Sequence, residues 1–238
     1  MKLSWANKAI IILIQYFIEM EQRIEKKFVF LPGDKKKIDL LIIDGFFKKL
    51  YKNRRVNSIY YDTHNLDCLW DNINGFSNRS KYRVRWYNEI NNSEVFFEKK
   101  RKINQVTQKT KINLGQFKNQ DHLNKFLESK DFVNKILEIT TLNLEKTLNV
   151  SYNRDYYIDN KKKLRLTLDQ KIITHKNFDK KFSNNFVGLD HNILEFKYQN
   201  EDSDYIRKKI NNLKFNFRNQ KFSKYVQSFL LLGEIGLH

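Results

Sequence analysis

The stretch KYRVRWY, residues 81–87, alternates basic residues with apolar and aromatic ones. Successive side chains of a β-strand point to opposite faces of the sheet, so its basic residues share one face. Tyr82, Val84 and Trp86 share the other face. A face of lysine and arginine cannot be packed into an apolar core without partners for its charges. The stretch therefore predicts a strand with one apolar face and one cationic face.

The same sorting of charges recurs in several other predicted strands. The residues that share a face are Arg23, Glu25 and Lys27; Glu98 and Lys100; Lys109 and Lys111; Lys163 and Arg165; and Glu195 and Lys197. One such strand indicates ordinary exposure to solvent, but six in one small domain indicate more than a compositional bias. If the strands close into a barrel with helices outside, the charges line its lumen. That lumen requires water, a metal ion or a polyanion.

The order of predicted elements favours an α+β fold with an antiparallel barrel or tunnel and surrounding helices. Strands are predicted at residues 23–31, 55–62, 79–88, 94–102, 105–114, 150–158, 163–174 and 191–198. Helices are predicted at residues 35–51, 115–142, 203–213 and 222–232. The sequence contains no GxxxxGK[ST] or GxGxxG motif, which excludes P-loop and Rossmann folds of the usual kind.

The composition indicates which classes of molecule this protein binds. The 238 residues carry a net charge of +18, and 40% of them are hydrophobic, enough for one sizeable core. The single cysteine, Cys68, excludes a disulfide framework and a zinc site built from several cysteines. The charge indicates an anionic partner, namely nucleic acid, a membrane surface or a phosphorylated molecule. A Lys- and Asn-rich composition also arises without selection for function. The placement of the charges therefore has to show whether they serve a function.

The N-terminus contains an apolar stretch at residues 9–18. A membrane-spanning helix needs about 20 such residues, so no transmembrane span is predicted. We expect residues 1–21 to form a helical extension and residues 22–233 to form a single domain. Without an export signal, the predicted location is cytoplasmic, and peripheral attachment of the apolar stretch to a membrane is the alternative.

Eight short motifs, in order, resemble the VTC domain, the polyphosphate polymerase domain of the vacuolar transporter chaperone family and its bacterial relatives. This domain belongs to the triphosphate tunnel metalloenzyme group. The motifs are RIEKKF (23–28), SIYYDT (58–63), KYRVRWY (81–87), FEKK (97–100), YNR (152–154), LRLTLD (164–169), LEFK (194–197) and KFSKY (221–225). Each motif is weak alone, but their common order over about 200 residues is specific. Nothing in the sequence resembles the SPX domain or the transmembrane segments of the eukaryotic complex.

The resemblance implies an eight-stranded antiparallel β-barrel tunnel with helices around it. It also implies transfer of the γ-phosphate of ATP, or of another nucleoside triphosphate, to a growing polyphosphate chain. Inorganic polyphosphate, triphosphate and pyrophosphate are the implied ligands, and Mn²⁺ or Mg²⁺ is the implied cofactor. A nucleic-acid partner is not implied.

The resemblance also assigns roles to individual positions. The implied catalytic residues are Arg83, Arg85, Arg154 and Arg165. The implied phosphate-binding residues are Lys27, Lys81, Lys100, Lys109, Lys111, Lys197, Lys221 and Lys224. The implied metal ligand is Glu195, with Glu25 and Glu98 as further carboxylates. The sequence leaves open whether Lys109 or Lys111, and whether Lys221 or Lys224, faces the lumen.

Other functions remain open at this point. If water replaces phosphate as the acceptor, the same site is that of a triphosphatase. A carboxylate that activates water would distinguish the triphosphatase from the polymerase. A binding module for polyphosphate or nucleotides, without turnover, is another reading. Tyr82, Trp86 and Tyr87 beside basic residues also suggest a stacking platform for nucleic acid. Alternation disfavours that platform, because it puts Tyr82 and Trp86 opposite the basic face. A structural protein with a basic bias is the remaining reading.

Overall fold

The computed structural model of the chain describes residues 23–104, 106–176, 186–213 and 218–233. In these ranges the strands are β1 (Arg23–Phe30), β2 (Lys48–Asp62), β3 (Asn78–Tyr87), β4 (Glu94–Ile103), β5 (Val106–Gln116), β6 (Glu145–Ile158), β7 (Arg165–His175), β8 (Val187–Gly188) and β9 (Asn192–Gln199). The α-helices are α1 (Lys35–Asp44), α2 (Asp67–Ile73), α3 (Gln120–Leu127), α4 (Lys130–Leu137), α5 (Ser203–Asn212) and α6 (Lys224–Leu231). The predicted helix at residues 1–21 lies outside the described residues.

The strands form one antiparallel sheet in the order β1-β9-β7-β6-β2-β3-β4-β5, with β8 beside β7. The sheet curls, because Lys100 of β4 donates a hydrogen bond to Glu25 of β1 at 2.7 Å although these strands are not neighbours in the sheet. We call the face that carries this contact the inner face and the opposite face the outer face. The α+β class and the antiparallel arrangement are as predicted.

The outer face is apolar and is covered by helices at both ends of the sheet. Apolar residues of α1 and α5 pack on one end, where Phe28, Leu166 and Phe196 are buried. Apolar residues of α3 and α4 pack on the other end, where Tyr82 and Phe97 are buried. Burial of this apolar surface is the main stabilising contribution to the fold. It also leaves the charged residues of the same strands on the inner face.

One helix lies on the inner side instead. Tyr225 of α6 stacks on Tyr60 with ring centroids 4.8 Å apart. Tyr60 stands directly opposite Arg83 in the sheet, so its ring is on the inner face. Tyr225 and Phe229 form a buried cluster with inner-face residues that include Tyr152. Helix α6 therefore fills part of the inner side and leaves the rest to charged residues.

A closed barrel is not confirmed, because the sheet remains open between β1 and β5 in the described residues. The free edge of β1 bonds to the C-terminal segment instead. The backbone N–H of Lys27 donates to the side chain of Asn219 at 3.1 Å, and the N–H of Gln220 donates to the Lys27 carbonyl at 2.8 Å. These bonds satisfy backbone groups that closure would have paired with β5.

The predicted helix at residues 35–51 ends early, at Asp44. Phe46 has a left-handed backbone with φ +52°, and a side chain on Gly45 would lie 2.5 Å from the Phe47 ring. The chain therefore turns there and continues as β2, a local effect that helical periodicity does not register.

Helix α2 is absent from the sequence prediction. Its start is held by Asp62, whose buried carboxylate accepts the backbone N–H groups of Cys68 and Leu69, both at 2.9 Å. Among the described helices, none has the length and apolar character needed to cross a membrane.

Candidate functional site

The cross-strand register puts charged residues of neighbouring strands directly opposite each other on the inner face. Side chains directly opposite each other in an antiparallel pair point the same way. The opposed charged residues include Lys27 and Glu195, Glu25 and Lys197, Lys81 and Lys100, Arg83 and Glu98, Arg154 and Asp169, Lys100 and Lys109, and Glu98 and Lys111. Except for Lys111, these residues and their neighbours form what we call the inner cluster. It comprises the cations Lys27, Lys81, Arg83, Arg85, Lys100, Lys109, Arg154, Lys197 and Lys224 and the carboxylates Glu25, Glu98, Asp169 and Glu195.

Glu98 is the counter-ion of the first arginine pair. Its Oε2 accepts hydrogen bonds from Arg83 at 2.8 Å (Nε) and lies 2.7 Å from Arg83 Nη2. Lys109 contacts the other oxygen, Oε1. Arg85 Nη1 lies 3.8 Å from Oε2. Although burial opposes ionisation, these cations hold the pKa of Glu98 well below its usual range. The carboxylate therefore stays charged and fixes the direction of Arg83.

Arg85 is oriented by neutral partners. Its side chain is buried and donates to Ser58 Oγ at 3.1 Å (Nε) and 3.0 Å (Nη2), and to Tyr152 Oη at 3.2 Å. Burial alone would raise the pKa of Tyr152, but Arg154, Arg85 and Lys224 lower it to about 8. Because its hydrogen bonds go to Ser58 and Tyr152, and Glu98 lies 3.8 Å from its Nη1, the charge of Arg85 is only partly offset and remains available to a bound anion.

Asp169 joins a strand cation to a helix cation. It accepts hydrogen bonds from Arg154 Nε at 2.5 Å and Nη2 at 2.7 Å, and from Lys224 Nζ at 2.5 Å. Despite burial, Arg154 and Lys224 lower its pKa to about 2. The structure thus puts Lys224 in the inner cluster, whereas Lys221 is exposed.

Two further carboxylates lie close together. Glu195 is 3.1 Å from Lys197, 3.8 Å from Arg154 and 3.9 Å from Lys27. Its charge acts on Glu25 and opposes ionisation of that carboxyl, whose pKa is nevertheless lowered by Lys100 and Lys197 against the effect of burial. Two adjacent carboxylates that both remain ionised carry negative charge that a cation can share.

Glu25 and Glu195 suit a divalent cation only in part. Carboxylate oxygens are ligands that Mg²⁺ and Mn²⁺ prefer, and phosphate oxygens of a substrate commonly complete such sites. Among the described residues no group of three or more His, Cys, Asp and Glu side chains is placed to hold a metal. Two carboxylates therefore fit a metal that arrives with phosphate. Glu98, the third predicted ligand, is instead enclosed by Arg83, Arg85 and Lys109.

The inner cluster has a large surplus of positive charge. Its nine cations face four carboxylates, a surplus of five. Burial and the neighbouring Lys100 and Lys224 lower the pKa of Lys27 to about 8. Burial and nearby cations lower the pKa of Lys81 well below its usual value. Cations crowded so closely require anionic partners.

Two of the predicted residues lie at the margin of this arrangement. Arg165 is exposed at the start of β7, directly opposite Lys197, and both line a small pocket of about 90 Å³. Lys111 is exposed and its ammonium lies 4.7 Å from the centroid of the Phe96 ring, whereas Lys109 contacts Glu98.

Several residues of the site were missed by sequence reasoning. Asp169 stands in a quoted motif but was given no role, and Ser58 and Tyr152 resemble ordinary strand residues. Arg54 was also missed, although it stands directly opposite Arg154 on the inner face. Alternation from Arg54 to Val56 and Ser58 was the available signal, but the predicted strand began one residue later, at residue 55.

Solved structures define the class of fold. A protein from Pyrococcus horikoshii OT3 matches with a TM-score of 0.51 and 16% identity, over 90% of this chain and 99% of its own. A candidate adenylate cyclase from Bacillus halodurans matches with a TM-score of 0.54 and 15% identity, over 87% of this chain and 97% of its own. A candidate adenylyl cyclase from Hippeastrum, described as having a dominant triphosphatase activity, matches with a TM-score of 0.50 and 15% identity, over 87% and 95%. The chain has the antiparallel, sheet-rich α+β fold of these proteins.

The family follows from the sequence as a whole. The family model of the VTC domain matches residues 7–232. The chain therefore belongs to the VTC domain family, and the resemblance seen in the ordered motifs is confirmed. No curated protein matches the chain. Membership of this family supports a phosphoryl-related function.

Proposed function

We propose that this protein is a polyphosphate polymerase that transfers the γ-phosphate of ATP to the end of a polyphosphate chain. The observation that carries the proposal is the surplus positive charge of the inner cluster, collected on one face of a curled sheet. A linear chain of phosphates supplies negative charge at regular spacing and oxygens that accept hydrogen bonds from arginine and lysine. A cytoplasmic location fits this proposal, because ATP is available there.

Phosphoryl transfer asks a protein for positioning and for neutralisation of charge. Arg83, Arg85 and Arg154 are each held by a buried partner, so little reorganisation is needed when phosphate binds. We assign these arginines to the reacting phosphates. The exposed Arg165 is assigned to phosphates nearer the rim.

The state of the carboxylates favours a phosphate acceptor over water. Glu25, Glu98, Asp169 and Glu195 each contact a cation, and each has a lowered pKa. Such carboxylates are weak bases for the activation of water. The terminal phosphate of a chain is already a nucleophile and requires no base.

A triphosphatase is the second candidate. The Hippeastrum protein with this fold is described as a triphosphatase, so the fold is compatible with hydrolysis. The divalent cation that both reactions imply would be held by Glu195 and Glu25. When bound, Mn²⁺ or Mg²⁺ would supply positive charge that offsets the negative charge developing on the phosphates.

The test is incubation of the purified full chain with ATP and Mn²⁺, with polyphosphate, ADP and free phosphate measured in parallel. Arg83→Gln and Glu195→Gln remove one assigned group each, and Lys130→Ala, at an exposed position of α4, is the matched control. We expect polyphosphate and ADP in step, lost in both site variants and kept in the control. Free phosphate without polymer would establish the triphosphatase. Binding of triphosphate without turnover would leave a binding module.

A further inference from the structure

Three tyrosines surround Arg54 at one end of the inner face, and the proposed phosphate chemistry does not use them. The Arg54 guanidinium carbon lies 5.0 Å from the ring centroid of Tyr51 and 5.8 Å from those of Tyr87 and Tyr156. The rings of Tyr51 and Tyr156 meet edge to face with centroids 5.5 Å apart. We call these four residues the tyrosine cluster.

The tyrosine cluster directly adjoins the phosphate-binding cations. Arg54 stands opposite Arg154 in the sheet. Tyr87 is two residues beyond Arg85 on β3, and Tyr156 is two residues beyond Arg154 on β6. Residues two apart on a strand share a face and lie about 6 to 7 Å from each other. The aromatic rings therefore begin where the inner cluster ends.

The cluster is open to solvent, although Tyr87 also packs against the buried inner-side cluster that contains Tyr225 and Phe229. Tyr51 is 49% exposed, and Arg54, Tyr87 and Tyr156 are half-buried. The pairing of β2 with β6 is irregular between Lys49 and Arg54, so this end of the ladder is not a continuous sheet. Residues 49–53 line an open hollow of about 370 Å³. Of the three rings, Tyr51 lines this hollow, so a flat ligand can reach that ring from outside.

Stacking is the chemistry that these groups offer. Tyrosine rings and the arginine guanidinium are flat surfaces on which nucleobases stack, and each stacked base contributes about 1–3 kcal/mol. Inorganic triphosphate has no such surface. A group of this kind beside a triphosphate site therefore distinguishes nucleoside triphosphates from inorganic ones. Such a stacking site favours purines over pyrimidines, because a purine ring has the larger stacking area. It does not depend on hydrogen bonds to the edges of the base.

We propose that the tyrosine cluster is a stacking subsite for the base of a nucleoside triphosphate whose phosphates occupy the inner cluster. This inference rests on the proposed function and adds that the donor is bound by its base as well as by its phosphates. The alternative is structural, in which Arg54 and the rings only hold β2, β3 and β6 together.

The test measures dissociation constants of ATP and of inorganic triphosphate by calorimetry on the full chain. Tyr51→Ala should weaken ATP binding about tenfold, the equivalent of about 1.4 kcal/mol, and change triphosphate binding less than about twofold. Tyr51→Phe keeps the ring and should restore ATP binding. Phe76→Ala is the matched control, because Phe76 is an aromatic residue with 56% exposure outside the cluster. Hypochromism of the adenine absorbance on binding should be lost only in Tyr51→Ala.

Three results would overturn the inference. Equal weakening of both ligands by Tyr51→Ala would assign the cluster a structural role, and unchanged ATP binding would show that the base does not stack there. Failure of the unmodified protein to bind inorganic triphosphate at all would contradict the proposed function itself. Triphosphate binding without any preference for ATP would contradict only the stacking subsite.

Discussion

Asp169 accepts a two-pronged hydrogen bond from Arg154, with Oδ1 2.5 Å from Nε and Oδ2 2.7 Å from Nη2. Lys224 donates to the same Oδ2 at 2.5 Å, and the Asp169 side chain is fully buried. One carboxylate therefore fixes a cation of β6 and a cation of α6 in a single arrangement. Because this contact joins α6 to the inner face, together with the stacking of Tyr225 on Tyr60, the docking of α6 and the assembly of the site are coupled.

Asp169→Asn should destabilise the protein. The change leaves Arg154 and Lys224 buried without their counter-ion, which costs about 3 kcal/mol of unfolding free energy. Denaturant unfolding measures the loss. Added triphosphate should recover more stability in this variant than in the unmodified protein, because the ligand supplies the missing charge. An unchanged unfolding midpoint would contradict the coupling.

Lys224 and Lys221 should behave differently, although the sequence does not distinguish them. Lys224→Ala removes a cation of the inner cluster and should weaken triphosphate binding about tenfold, the size expected for a charge-assisted hydrogen bond. Lys221→Ala, at an exposed position of the same segment, is the control and should change affinity less than about twofold. Circular dichroism verifies that both variants fold. A larger loss of triphosphate affinity in Lys221→Ala than in Lys224→Ala would contradict this assignment and show that Lys221 binds the substrate.

Triphosphate affinity should fall as pH rises through 8. The pKa values of Lys27, Lys109 and Tyr152 are each lowered to about 8. Above that pH the lysines lose positive charge and the tyrosine gains negative charge, so every step weakens attraction for an anion. Between pH 7 and 9 we expect at least about a tenfold loss, with proton uptake on binding near pH 8.

Calorimetry at constant ionic strength, in two buffers of different ionisation enthalpy, measures the affinity and the proton uptake. Tyr152→Phe removes one of the titrating groups and should flatten the pH profile in part. A flat profile in the unmodified protein would rule out this linkage.

The carboxylates should separate into metal ligands and counter-ions. Glu195→Gln and Glu25→Gln should weaken Mn²⁺ binding in the presence of triphosphate by about tenfold or more, the loss expected when a metal site is disturbed. Glu98→Gln should leave Mn²⁺ affinity nearly unchanged but lower stability, because Arg83 and Arg85 lose their counter-ion. Electron paramagnetic resonance of free Mn²⁺ gives the affinities directly. A strong effect of Glu98→Gln on Mn²⁺ affinity would assign it to the metal instead.

Much of this protein could be predicted from its sequence. Alternation in residues 81–87 indicated the faces of β3, and the ordered motifs indicated the family that the family model confirms. These predictions succeed because alternation is a local property of extended backbone, independent of the rest of the chain. The end of α1 at Asp44 was missed, since a turn at Gly45 and Phe46 is decided by how Phe47 packs.

The contacts between these charges depend on the tertiary structure. Lys224 reaches Asp169, Glu25 reaches Lys100 and Arg54 lies among three tyrosines through contacts between residues far apart in sequence. The open edge at β1 likewise depends on Asn219, nearly 200 positions away. Cross-strand register, the curl of the sheet and the docking of α6 set these distances. Alternation in the sequence was enough to predict the face that most of these charges occupy. Their partners depend on long-range packing, because register and curl arise only when all the strands assemble.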